Sequence, residues 1–451
     1  LPSDVTNTDV TNAEVSNAAA ALGSVFDRGL LSPVTAGHDA LVADDAVLGG
    51  LVTVEVALWR ALDTVRGGEA SARERRSAEL GWRGAGELCT GHRLGIDLDQ
   101  IARAAASGGN PVIPLVRALR AGGFAEAHEG ATSQDILDSA LMLLAERARA
   151  QIAAELTALE AALARMAKER RGQTAAARTL TQHAVPTTVG LRAANWLRGI
   201  RRARLTLDAA LLPAQLGGAG GTLASWTDAL GAERTAALPA AFAAELGLAA
   251  PDAPWHTQRW PVTELGDALV QLLAALGKLA TDVATLSRTE IAEIAEGEPG
   301  GSSAMPQKRN PAASVLIRSA ALRAPQLGAT LQLAAVLAVD ERPDGSWHAE
   351  WPTLRELLRL ALGATAHTRR LVGGLVVDDA AVARNLAMTG GALLAERGPR
   401  AGESAPADYI GLASELAVRN LGGDPAQQED PAQQEDPAQQ GHAAQQEEQT
   451  S

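Results

Sequence analysis

The sequence predicts an all-α protein: a long central helical bundle with smaller helical N- and C-terminal regions. Three observations predict it. Hydrophobic residues make up 46% of the 451 positions but aromatics only 3%, so the core is mostly Ala, Leu and Val, which suits closely packed helices. Apolar residues recur at three- and four-residue steps over long stretches. Strand signals are almost absent.

Taken in order, residues 1–21 repeat a polar phrase, Asp4-Val5-Thr6-Asn7 and Asp9-Val10-Thr11-Asn12, and are expected to be disordered. Residues 22–110 form an N-terminal helical domain and 111–375 the central bundle. Within the bundle, helical periods cover Ile136 to Met166, 188–212, 267–296, 312–338 and 351–375, and Pro325 is expected to kink the fourth. Residues 376–422 form a small C-terminal helical region, broken by glycine and proline over 395–420. Residues 423–451 repeat Asp-Pro-Ala-Gln-Gln-Glu, an acidic tail that buries too little apolar surface to order itself.

Composition also bounds function. A net charge of −13 argues against nucleic acid and anionic membranes, so an anionic substrate needs a locally basic site. The lone cysteine, Cys89, excludes an internal disulfide, reads as a small buried apolar residue, and fits a reducing cytoplasm. No signal peptide or bilayer-spanning segment is expected. No His, Cys or carboxylate cluster has metal-ligand spacing, so neither metal nor cofactor is implied.

The densest chemistry lies in Gly300-Gly301-Ser302-Ser303-Ala304-Met305-Pro306-Gln307-Lys308-Arg309-Asn310-Pro311, between the third and fourth helical patterns. Glycines let a backbone bend toward a ligand, hydroxyls exchange protons, and cations and amides hold carboxylate oxygens. The chain has three lysines, Lys168, Lys278 and Lys308. The first fits a solvated helix face and the second a snorkelling side chain; Lys308 fits a point charge for an anion.

Two further polar motifs precede helices. In His128-Glu129-Gly130-Ala131-Thr132-Ser133-Gln134-Asp135, Thr132 and Ser133 serve equally well as helix caps or as carboxylate binders. In Arg178-Thr179-Leu180-Thr181-Gln182-His183-Ala184-Val185-Pro186-Thr187-Thr188, the polar company of His183 favours a site over a merely satisfied histidine.

Together these three motifs resemble the signature regions of the fumarase/aspartase superfamily, in order, with the likeness covering roughly residues 22–400. The resemblance implies that family's bundle and a homotetramer whose active sites combine regions from three subunits. Amine- and water-expelling members read Thr-His after the arginine, and that histidine assists the leaving group. Here the pair is Thr179-Leu180, and leucine donates no proton. A carboxylate leaves without such help, which suits intramolecular lactonisation.

The segments Gly109-Asn110-Pro111-Val112-Ile113-Pro114-Leu115-Val116, Pro254-Trp255-His256-Thr257-Gln258-Arg259 and Trp347-His348-Ala349-Glu350-Trp351-Pro352 resemble the 3-carboxy-cis,cis-muconate cycloisomerases of the protocatechuate (β-ketoadipate) branch of aromatic degradation. Gln307 departs from their more usual histidine. The resemblance implies Ser302 as proton carrier, with Ser303 next. It implies Lys308 and Asn310 on the developing oxyanion, helped by Thr132 and Ser133. His183, Gln182, Arg259 and Arg342 then serve the remaining carboxylates of a polycarboxylate substrate. The alternatives are an amine-expelling lyase in which His183 replaces the missing acid, and a non-catalytic crystallin-like relative, against which Ser302, Lys308 and Asn310 argue.

Overall fold

A computed structural model describes residues 28–82, 84–89, 95–301 and 304–421. The repeats at both ends, and Ser302 and Ser303, lie outside the described residues. In chain order the helices begin with α1 (Asp44–Arg66), α2 (Ala70–Glu79), α3 (Leu98–Gly108), α4 (Val112–Ala121) and α5 (Ser133–Glu169). Strands β1 (Thr174–Thr179) and β2 (Gln182–Thr188) follow, then α6 (Val189–Ala209), α7 (Ala224–Leu230), α8 (Ala232–Leu246) and α9 (Trp260–Leu286). The chain continues through β3 (Ile294–Ala295), α10 (Ala312–Val336), α11 (Gly345–Gly373), β4 (Val376–Val377), α12 (Asp379–Ala387) and α13 (Ala413–Val418). The all-α expectation holds, with two small two-stranded sheets added.

The chain falls into two compact units, one within Leu1–Leu163 and Trp196–Asn385, the other within Ala164–Asn195 and Leu386–Ser451. In the first, α9, α10 and α11 pack along one another. Leu265, Leu269, Leu272, Leu276, Leu279 and Val283 form the buried stripe of α9. The helices approach closely because glycines stand where they cross: a Cβ on Gly266 would stand 2.6 Å from Leu331 of α10, and one on Gly277 would strike Ala321. By length and composition alone α9 could cross a bilayer, but half of its most apolar window is buried inside the protein, as in a core helix. A second part of the core joins Leu51, Val54 and Leu58 of α1 to Ile136 and Ala140 of α5, Phe242 of α8 and Trp347 of α11.

The helical period over 267–296 outruns its helix. α9 stops at Leu286, Ala292 takes a positive φ of 54°, and Ile294 is buried instead as β3, paired with Val377 of β4. A strand residue can satisfy an apolar period as well as a helical one when its neighbour pairs it.

Along α11, His367 and its neighbour Arg370 meet His38. The imidazoles lie 5.5 Å apart edge to face, and Arg370 Nη2 approaches both rings, at 3.2 and 3.3 Å. Burial, then Arg370 and His38, lowers the His367 pKa to about 4.

In the second unit β1 and β2 form an antiparallel hairpin with Thr179 opposite Gln182. Its two-residue turn, Leu180-Thr181, has positive φ at both positions, 46° and 70°, the geometry of a type I′ turn. Neither residue is one the turn favours, so no hairpin signal is visible in Thr179-Leu180-Thr181-Gln182. The glycine- and proline-broken stretch folds as 3₁₀ turns over Ala392–Glu403, interrupted at Gly398, and over Pro406–Tyr409 before α13.

Candidate active site

Asp135, fully buried in the first turn of α5, organises the first motif. Its carboxylate accepts the Thr132 amide at 3.0 Å, the return half of a capping arrangement. It also accepts the amides of Gly217 and Gly218 at 2.8 and 2.9 Å and His256 Nε2 at 2.9 Å. One anion thus fixes the start of α5 against the glycine-rich segment Gly217-Gly218-Ala219-Gly220-Gly221. Arg342, in the turn between α10 and α11, closes the same place. It donates to the Thr132 hydroxyl and, at 2.6 Å, to the Ala219 carbonyl. Thr132 and Arg342, both expected in the site, are therefore in contact, and Ser133 is the first residue of α5 beside them.

Beneath this lies a buried ionic layer. Arg259 donates to Asp138 at 2.7 and 3.1 Å and to Glu350 at 2.6 Å and, through Nε, 3.1 Å. Nη1 also reaches the Trp255 carbonyl at 3.3 Å. Trp347 Nε1 donates to Asp138 at 2.8 Å. Arg259 is the residue expected at a substrate carboxylate; in this structure its donors meet the protein's own carboxylates and its side chain is 1% exposed. Burial works against its charge, but the two anions more than offset that and raise its pKa. Burial pushes the Glu350 carboxyl up, opposed by Arg259. Breaking such a pair on one side strands a buried charge, so the layer makes a stiff floor under Thr132. His256, which taken alone reads as a surface residue, is 3% exposed and belongs to this floor.

Ahead of the first motif, His128 has a positive φ of 65° and its Nδ1 lies 2.8 Å from the buried Glu55 carboxylate. His348, in the Trp347 motif, places Nδ1 and Nε2 each 2.8 Å from a backbone carbonyl, those of Asp344 and Gly109.

The glycine–serine loop stands on a two-rung neck. Gly300 and Asn310 exchange backbone hydrogen bonds at 2.9 and 3.0 Å, and Asn310 Nδ2 donates to the Gly301 carbonyl at 3.1 Å. Lys308 is exposed on this loop, its amide bonded to the Met305 carbonyl at 3.0 Å. The neck ends at Asn310, two residues after the exposed Lys308.

In the second unit, His183 is half-buried opposite Arg178 in the hairpin, and Gln182 is exposed beside the turn. Leu180 is 95% exposed at the tip. Among the described residues no group of three or more His, Cys, Asp or Glu is placed to hold a metal ion.

Asp135, Asp138, His256 and Glu350 were not singled out as site residues, although each lies inside or beside a motif that was. Only Asp138 carried a signal, a charge within the apolar helical period from Ile136, which costs stability unless paired.

A family profile described as "Lyase" matches residues 124–325. The chain is 46% identical to nitrosuccinate lyase of Streptomyces davaonensis over 396 residues, spanning 83% of this chain and 80% of that one. It is 44% identical to 3-carboxy-cis,cis-muconate cycloisomerase of Pseudomonas aeruginosa over 309 residues, 66% of each chain. The 3-carboxy-cis,cis-muconate lactonizing enzyme of Pseudomonas putida superposes with a TM-score of 0.76 at 30% identity, covering 87% of this chain and 98% of that one.

Proposed function

The chain belongs to the fumarase/aspartase superfamily of lyases, and we propose that it makes or breaks a bond beside a carboxylate when the departing group is an anion that needs no proton. The observation that carries this is Leu180. It occupies the tip of the β1–β2 hairpin where amine- and water-expelling members carry an acid, and it has no proton to give.

The reaction the motifs favour is lactonisation of 3-carboxy-cis,cis-muconate. A carboxylate oxygen of the substrate attacks its own diene, the displaced electron pair becomes an enediolate on a neighbouring carboxylate, and a proton is then delivered to carbon. Lys308 and Asn310 stabilise the enediolate, Ser302 carries the proton, and Thr132, Ser133, Arg342, Gln182 and His183 hold the remaining carboxylates. The segments at 109–116, 254–259 and 347–352 support this reading.

A second reading is supported by the longer likeness to nitrosuccinate lyase. A base removes a proton from the carbon next to the far carboxylate, the electron pair forms the double bond, and nitrite departs with the electrons of the C–N bond. Nitrite, like a carboxylate, is a stable anion, so Leu180 is equally compatible with it.

We further propose a homotetramer with shared sites, acting in the cytoplasm. The outer face of α10 exposes Leu322 (77%), Leu333 (63%) and Val336 (79%), more apolar surface than an isolated helix face usually leaves to water. The buried thiol of Cys89 supports a reducing compartment.

One experiment tests both substrate readings. The purified protein is offered the muconate, followed by loss of diene absorbance, and nitrosuccinate, followed by released nitrite, with no added metal or nucleotide. Diene loss alone supports lactonisation, and nitrite release alone supports elimination. Cleavage of adenylosuccinate or argininosuccinate with neither of these overturns both and returns His183 as leaving-group acid.

A further inference from the structure

The Lys308 loop is clasped at its base by a residue outside it. Glu296 lies four residues before Gly300 and is 4% exposed. Its Oε1 accepts the Ser314 amide at 2.8 Å and the Ser314 hydroxyl at 2.6 Å, and its Oε2 accepts the Ala313 amide at 3.1 Å. These amides belong to the first turn of α10, on the far side of the loop. A helix start is normally capped by its own flanking residue, but Pro311 holds that place here and its side chain offers no hydrogen bond. The missing acceptor comes instead from across the loop.

Two close approaches reinforce the clasp. A Cβ on Gly297 would strike the Gly374 carbonyl, so the chain runs flush against the end of α11. A Cβ on Gly300 would stand 2.7 Å from Ala312 Cβ, so the neck has no room to slide over α10. The Gly300–Asn310 rungs rise directly from this base.

We infer that Glu296 is a positioning residue: its carboxylate joins the two ends of the loop and sets the height at which Lys308 and Asn310 meet the substrate's developing charge. Its link to catalysis rests on the function proposed above; the clasp itself does not. Glu296 does not touch the substrate. It acts because a displacement of about 1 Å at a charge-stabilising group can cost on the order of a hundredfold in rate.

The test compares Glu296→Ala, Glu296→Gln and Ser314→Ala with the wild type in the full chain. Kinetics are read on whichever substrate is turned over, and trypsin cleavage after Lys308 and Arg309 reports the loop directly. Glu296→Ala is expected to lower kcat by roughly thirtyfold or more with little change in KM. It should also speed cleavage at the loop by about tenfold while circular dichroism and oligomeric state stay the same. Glu296→Gln keeps one carbonyl acceptor but turns an N–H toward a backbone amide, so it should fall between. If Glu296→Ala fails to fold, Ser314→Ala removes one hydrogen bond only and should shift kcat and cleavage in the same direction by a few-fold. Unchanged cleavage in the folded variants overturns the clasp, and faster cleavage with unchanged kcat overturns the positioning role. Should the wild type turn over neither substrate, the proposed function fails separately and cleavage alone decides the clasp.

Discussion

Arg342 and Thr132, 210 residues apart in sequence, share a hydrogen bond that closes the turn after α10 over the start of α5. The contact matters because both adjoin a floor, Asp135, Asp138, Arg259 and Glu350, whose polar atoms already find partners within the protein. Arg342, bonded to a hydroxyl and a carbonyl, has donors it can redirect.

Arg342→Ala should therefore weaken substrate binding. A lost charge-assisted hydrogen bond is worth about 1.5–3 kcal/mol, so kcat/KM should fall roughly tenfold to a hundredfold, mostly through KM. Thr132→Ala should cost less. Steady-state kinetics decide it, and an unchanged KM for Arg342→Ala would remove Arg342 from the site.

Ser302→Ala should lower turnover by roughly a hundredfold or more, the usual scale for a lost proton carrier, with binding less affected. If Ser303→Ala is the inactive variant instead, the assignment moves by one residue. Lys308→Arg should also be poor, since a broad planar fork does not replace a compact ammonium on a narrow loop rim.

At the hairpin tip, Leu180→Ala should change stability by no more than about 0.5 kcal/mol, because the side chain is 95% exposed. Replacing Leu180-Thr181 with Asn-Gly should raise the melting temperature, since those residues accept the positive φ that a β-branched threonine resists. Leu180→His should impair lactone closure by setting a polar group beside an apolar part of the substrate. A variant that closes the lactone as fast as wild type counts against the role given to Leu180.

Charging the outer face of α10 should disrupt assembly. Leu322→Glu combined with Val336→Glu is expected to shift the protein to smaller species in sedimentation velocity and to reduce activity with it. A tetramer that survives both changes places its interface elsewhere.

Acid should expose the His38–His367–Arg370 cluster. The folded protein holds His367 at about 4, below the usual imidazole value near 6.5. The unfolded chain therefore takes up a proton first as pH falls, so the stability associated with a neutral His367 is intact above 6.5 and is lost progressively toward 4. His367→Gln should flatten that part of the melting-temperature profile and leave its shape above pH 7 unchanged. Parallel profiles for the two proteins across pH 4–6.5 would show that His367 contributes nothing to it.

The bundle was readable because leucines at three- and four-residue steps have one cheap way to be buried together. Boundaries were less so: Ile291 and Ile294 keep the period of α9 after its hydrogen bonding has stopped, and only the pairing of Ile294 with Val377 explains the break. The hairpin was hidden because Leu180-Thr181 adopts a glycine-like turn without glycine or asparagine. The ion pairs of Arg259 were not legible, because its partners Asp138 and Glu350 lie 121 and 91 residues away. Which charge meets which is decided by the fold, and a short motif does not state it.

The scarcity of lysine has a practical side. Lys278 pairs with Asp282, Lys168 stands exposed in the last turn of α5, and Lys308 is exposed on the glycine–serine loop. An acylating or reductive-alkylating reagent therefore has few places to go in this chain. Mass mapping of such adducts, with and without a bound polycarboxylate, would make Lys308 a built-in occupancy gauge that needs no engineered tag.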